Sequence, residues 1–218
     1  MQITPYGEGC GALVQGAQLA SLGDAELAEL RAALHDYGVL FFREQELVPE
    51  DHLNFANRFG EVVVNKFFTP VPEYPDIAQV RKEKEQTTNI GGGWHTDHSY
   101  DAEPALGSIL VARELPESGG DTQFADLQRA YETLSPGLQK TLESLRAVHS
   151  NVHVYGKDGY YQATDLASQL GGVDEVGEAT HPVVIRHPDT GRKILYVNPG
   201  FVMHFEGWTS QESRPLLN

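Results

Sequence analysis

Glycine and proline recur throughout this chain, 22 and 12 times in 218 residues, and cut its apolar residues into short runs. That pattern predicts many short strands joined by turns, with a few amphipathic helices between them. Residues 11–19 read as a strand that bends at Gly16. Asp24 caps a helix whose Leu27, Leu30, Ala33 and Leu34 recur at helical spacing, and Gly38 stops it. The apolar run 39–42 reads as a central strand. Pro49 opens a second helix carrying Leu53, Phe55, Ala56 and Phe59, which Gly60 ends.

Residues 77–81 alternate weakly, and residues 105–113, rich in Leu, Ile and Val, form a better strand candidate. Asp126 and Pro136 each start a further helix. The stretch 151–178 is polar, Gly-rich and poorly patterned, and is expected to be a long mobile loop or lid. Residues 183–185 and 194–197 flank Asp189-Thr190-Gly191 as a hairpin. Thr209 and Ser210 offer a cap for a final helix that has only about two turns before Asn218, so the chain reads as cut inside an element. Strands followed by helices, with few βαβ alternations, argue for a single domain over 1–218, mainly β with flanking helices: a jelly-roll core, incomplete at the C-terminus.

Composition removes several classes of function. The formal net charge of −15 and the lack of a basic stripe argue against nucleic-acid binding. No stretch is long and apolar enough to span a bilayer, and the N-terminus lacks the basic start and apolar run of a secretory signal. Cys10 stands alone, which fits a reducing cytoplasm and a small, packed side chain.

The chemistry concentrates at His95-Thr96-Asp97. Residues two apart on an extended strand share a face, so one imidazole and one carboxylate can converge on a divalent metal with positions left open. Taken alone, a His–Asp hydrogen bond at a strand end is the commoner fate of such a pair. His98 points off that face and is expected in solvent or behind the site, and no other histidine identifies itself as a third ligand. Gly119-Gly120-Asp121-Thr122 reads as a tight turn that presents the Thr122 hydroxyl. Gly91-Gly92-Gly93 lacks the spacing of a nucleotide-binding loop.

Together these segments resemble the taurine dioxygenase family, which also contains the herbicide-cleaving phenoxyalkanoate dioxygenases. The resemblance is carried by Trp94-His95-Thr96-Asp97, Pro104-Ala105, Glu114-Leu115-Pro116, Gly119-Gly120-Asp121-Thr122, Ala130-Tyr131-Glu132 and Leu134-Ser135. Before them stand Gly16-Ala17-Gln18-Leu19, residues 39–43 and Arg58-Phe59-Gly60-Glu61; after them come residues 181–184, His187-Pro188, Gly191-Arg192-Lys193 and Tyr196-Val197-Asn198. It implies a double-stranded β-helix. His95 and Asp97 become two of three ligands to Fe(II), and Thr122 contacts the distal carboxylate of the co-substrate 2-oxoglutarate, with O2 as oxidant.

The family's remaining His ligand and carboxylate-pairing Arg would lie beyond Asn218, so the 218-residue chain by itself is expected to be inactive. A small organic acid is the implied substrate, and a homo-oligomer is expected of the full-length form. Asn65 stands where taurine-cleaving members carry a sulfonate-binding His, which argues against taurine itself and leaves other sulfonates, alkyl sulfates and aryloxyalkanoates. Phe67 and Phe68 follow as pocket or core residues. The alternatives are a non-catalytic binding protein on the same scaffold and a metal-dependent jelly-roll isomerase or hydrolase that uses other His ligands.

Overall fold

A computed structural model describes residues 1–218, and they cluster into two compact units. The first comprises residues 1–62, 108–133 and 186–194. Its sheet orders strands β1 (Gln2–Pro5), β2 (Ala12–Gln15) and β3 (Leu40–Phe42), with β1–β2 antiparallel and β2–β3 parallel. Helices α1 (Asp24–Tyr37), α2 (Pro49–Asn57) and α3 (Leu127–Glu132) accompany it. The cap of α1 is Gly23 rather than Asp24: the Gly23 amide donates to the Glu26 carboxylate at 2.9 Å. Its end is the expected one, with Gly38 in the left-handed region (φ 73°) and its amide donating to the Leu34 carbonyl.

Leu30 of α1 is fully buried against Val14, Leu19, Leu22, Leu47 and Phe55, a burial that contributes roughly 2 kcal/mol. Two expectations fail in this unit. The apolar run at β3 forms a sheet edge, not a centre. Residues 108–113 form no strand, although Ile109 and Val111 still pack on the core of this unit. Apolar content secured their partial burial, but no ladder partner was there to order the backbone.

The second unit comprises residues 63–107, 134–185 and 195–218. A short antiparallel pair, β4 (Pro70–Val71) and β5 (Tyr74–Ala78), replaces the strand expected at 77–81. Helix α4 (Pro136–Leu142), capped by the Ser135 hydroxyl, leads into β6 (Arg146–Ser150). Strand β6 is the centre of an antiparallel sheet, between β7 (Glu178–Pro182) and β10 (Val202–Phe205). Helix α5 (Val152–Tyr155) and two single turns follow β6 within 151–178, where Tyr161, Leu166 and Leu170 are buried with Phe68 and Ile90 around them.

Strands β8 (Val184–Arg186) and β9 (Lys193–Leu195) form the anticipated hairpin, its turn closed by Gly191 (φ 68°) donating to the His187 carbonyl. Helix α6 (Ser210–Leu217) begins in a capping box between Thr209 and Glu212 and packs Leu216 and Leu217 on Leu142, Ala147, Val183 and Phe205. The architecture is mixed helix and strand in four separate sheets, none closed into a barrel. No helix is long and apolar enough to cross a membrane.

Candidate metal centre

His95, Thr96 and Asp97 lie in an irregular segment of the second unit, not on the extended strand that their spacing suggested. A turn follows at once, with the Asp101 amide donating to the His98 carbonyl. The convergence of His95 and Asp97 therefore has a different cause. The Nδ1 of His95 lies 2.8 Å from the Gly93 carbonyl, and a carbonyl can only accept, so Nδ1 carries a proton. A neutral ring then has its lone pair on Nε2, which stands 3.1 Å from Asp97 Oδ1.

A lone pair facing a carboxylate at that distance is stable only with a cation or a proton between them. Accordingly, the hydrogen bond to Asp97 raises the His95 pKa, against an opposing contribution from burial. The spacing also suits a metal. Two ligand atoms about 2.1 Å from an ion and at right angles stand about 3.0 Å apart. The pair is accessible, with 33% of the His95 side chain and 57% of the Asp97 side chain exposed, so further ligands can reach the ion. By tautomer, spacing and access the two residues fit a divalent cation with open positions.

Aromatic rings stand on one side of this pair. Phe201 meets His95 edge-on at 6.0 Å and Tyr100 at 4.9 Å, and Phe67 is buried against Tyr100 and stacked on Tyr155 at 4.3 Å. Asn65 uses its Oδ1 to accept from the amides of Phe67 and Phe68, at 2.9 and 3.0 Å, and so shapes the turn that presents both rings. His98 takes a left-handed conformation (φ 59°) and bonds through Nδ1 to Asp101 Oδ2.

The other imidazoles of this unit are engaged elsewhere. His153 donates to the Gly200 carbonyl, His181 to that of Asp101 and His204 to that of Phe205, while His149 is sealed in the sheet. Thr122 belongs to the first unit, exposed in an irregular segment. Sequence reasoning missed Ser99, Asn198 and Gly200, which the fold brings to the backbone of the His95 segment. The only signal available was the turn-forming run Asn198-Pro199-Gly200.

A second cluster, in the first unit, brings ligand atoms of His35, His187 and Asp189 within 4.8 Å of one another. The Nδ1 of His187 accepts there from the amides of Asp189 and Thr190, which leaves the proton of the neutral ring on Nε2. With neither nitrogen presenting a lone pair, His187 serves as a closure for its hairpin turn, and His35 pairs with Asp189 at 3.3 Å.

The family model for taurine catabolism dioxygenase TauD, TfdA family, matches residues 2–218. The chain belongs to this family. Its members are 2-oxoglutarate-dependent dioxygenases, oxidoreductases that use Fe(II), 2-oxoglutarate and O2. The chain is 33% identical over 199 residues to the (S)-phenoxypropionate/alpha-ketoglutarate-dioxygenase of Sphingobium herbicidovorans, covering 89% of this chain and 69% of that protein.

Among solved structures, a taurine dioxygenase from Burkholderia xenovorans superposes with a TM-score of 0.80 at 34% identity, covering 99% of this chain and 69% of the other. AAD-2, solved in complex with Mn(II) and N-oxalylglycine, gives 0.76 at 27% identity, covering 100% of this chain and 77% of the other. The chain spans about half the length of its yeast relatives, 53% of the alpha-ketoglutarate-dependent sulfonate dioxygenase of Saccharomyces cerevisiae.

Proposed function

We propose that this protein hydroxylates a small organic acid of the sulfonate, alkyl sulfate or aryloxyalkanoate type, with release of succinate and CO2. The observation that carries the reading is the 3.1 Å approach of His95 Nε2 to Asp97 Oδ1, with His95 Nδ1 tied to the Gly93 carbonyl. Relatives named for phenoxypropionate, sulfonate and alkyl sulfate chemistry support the substrate class. The strands of the second unit are read here as part of a double-stranded β-helix, residues 151–178 as its mobile lid, and the cytoplasm as the place of action.

Bound at the pair, iron(II) with 2-oxoglutarate and O2 supplies oxidative decarboxylation coupled to hydroxylation of a C–H bond. The chain's own residues do the rest. Gly93 holds His95 in the tautomer whose Nε2 lone pair faces the ion. Asp97 contributes negative charge, which favours a dication over a proton at that point. Phe67, Tyr100 and Phe201 form an apolar wall that keeps water from the reacting carbon. Thr122 is assigned, through Gly119-Gly120-Asp121-Thr122, to the distal carboxylate of 2-oxoglutarate, and Asn65 to the substrate side through the turn that it caps. Where the hydroxylated carbon bears a sulfonate, sulfate or aryl ether, the product collapses and releases that group.

The test begins with anaerobic full-length protein, Fe(II) and 2-oxoglutarate. A visible charge-transfer band is expected, followed on aeration by succinate release that rises with the right sulfonate, sulfate or aryloxy acid. No band in folded protein would favour a non-catalytic binding scaffold. In the same assay Thr122→Ala raises the half-saturating 2-oxoglutarate concentration about 10-fold, the worth of one hydrogen bond to a charged group. An unchanged value would remove Thr122 from the site.

A further inference from the structure

We propose that the turn from Asn198 to Phe201 is the buttress that fixes His95 in its metal-binding position, with Asn198 and Gly200 as positioning residues; this rests on the metal reading above. The two segments lie about a hundred positions apart in sequence, yet Gly200 leaves no room for a side chain between itself and Trp94-His95. A Cβ added at Gly200 would stand 2.8 Å from His95 Cβ and 3.1 Å from the Trp94 carbonyl oxygen. Carbon atoms in ordinary contact are about 3.5–4.0 Å apart, so only a glycine lets the ligand segment come this close.

Asn198 joins the same two segments by hydrogen bonds. Its Oδ1 accepts from the Phe201 amide at 2.9 Å and its Nδ2 donates to Ser99 Oγ at 3.2 Å, inside the protein. Ser99 is fully buried and Asn198 nearly so. One amide side chain thus closes the turn with one end and grips the chain just after Asp97 with the other. Phe201, buried within the turn, meets the His95 imidazole in a T-shaped contact at 6.0 Å.

The two sides of this contact are unequally held, and that decides which one yields. The turn is pinned four ways: Val202 N donates to the Asn198 carbonyl, His153 to the Gly200 carbonyl, Ser150 N to the Phe201 carbonyl, and β10 pairs with β6. The His95 segment has no regular structure and faces solvent. A methyl group at position 200 therefore moves His95, by about the 0.7–1.2 Å needed to relieve the overlap. That exceeds the roughly 0.5 Å within which a functional constellation must be held.

The probe is Mn(II), titrated at low temperature and followed by the loss of its free-ion EPR signal, with the folded fraction of every variant fixed by circular dichroism. Gly200→Ala is expected to weaken Mn(II) binding about 10- to 100-fold in protein that remains folded, the range typical of groups that hold a ligand in place. Asn198→Ala behaves alike. Asn198→Asp recovers much of the affinity, because a carboxylate still caps Phe201 and can accept from the Ser99 hydroxyl. A turn that served stability alone would lower the melting temperature in these variants and leave the affinity of folded protein unchanged. Wild-type affinity in folded Gly200→Ala and Asn198→Ala, with normal binding in the parent, overturns the buttress alone. No Mn(II) binding in the parent overturns the metal pair and the buttress with it.

Discussion

Asp97→Ala and His95→Ala are each expected to reduce Mn(II) or Fe(II) affinity by more than about 100-fold, because each removes one of the two side chains proposed above as metal ligands. The fold should barely respond. Asp97 is 57% exposed, and exposed ion pairs contribute about 0–1 kcal/mol, so the melting temperature of the apo-protein should stay near that of the parent. The combination of lost metal and retained fold distinguishes a ligand pair from a structural His–Asp contact, for which both quantities would change little. Asp97→Asn adds a finer comparison: it keeps an acceptor oxygen beside His95 Nε2 but removes the charge, so intermediate affinity is expected. Parent-like affinity in either alanine variant would sink the ligand assignment, and succinate release that persisted in full-length His95→Ala would do the same for its role in turnover.

The parts of this molecule that were legible in the sequence are those whose cause is local. The end of α1 follows from Gly38, which takes φ 73° without steric cost, and the start of α6 follows from Thr209 and Glu212 three residues apart. The hairpin between β8 and β9 follows likewise from Asp189-Thr190-Gly191. The misreadings arise where a neighbour distant in sequence decides. The run at 39–42 is apolar enough for a sheet centre, yet β3 pairs only with β2, and aromatic contacts such as Phe41 on Phe124 and Phe42 on Phe55 account for its composition instead. Ile109 and Val111 carry strand propensity into a segment that forms no ladder.

The site divides in the same way. The residue types at His95 and Asp97 are compatible with a metal pair or a plain His–Asp contact, and their geometry comes from the Gly93 carbonyl and from a loop, not from strand alternation. Gly200 and Asn198, about a hundred residues downstream, show nothing of their relation to His95 until the chain is folded.

Acid should loosen this fold well before its carboxylates are protonated, and His149 is the reason. It sits on β6 fully buried, edge-on to His181 at 5.3 Å and stacked on Tyr196 at 5.6 Å, and neither of its ring nitrogens has a hydrogen-bond partner in the protein. Burial, with the nearby His181 adding to it, pushes its pKa down to about 4. In the unfolded chain the same ring titrates near its ordinary 6.5. Between those values the unfolded state holds a proton that the folded state refuses, so stability is complete above pH 6.5 and falls as the pH drops towards 4. The 2.5-unit gap at about 1.4 kcal/mol per unit bounds the loss at about 3–4 kcal/mol.

His52, also lowered by burial, acts in the same direction, whereas the raised pKa of His95 acts against it. The decisive quantity is therefore the difference between the parent and His149→Phe, measured by urea unfolding at pH 7.5 and pH 4.5. The variant should lose less stability on acidification. At neutral pH it should match or exceed the parent, because an apolar ring in an aromatic surround replaces two unpaired polar atoms that cost about 1–3 kcal/mol each. Identical acid sensitivity in the two proteins would mean that His149 already has a hydrogen-bonded partner in solution, and the burial argument would fail at this position.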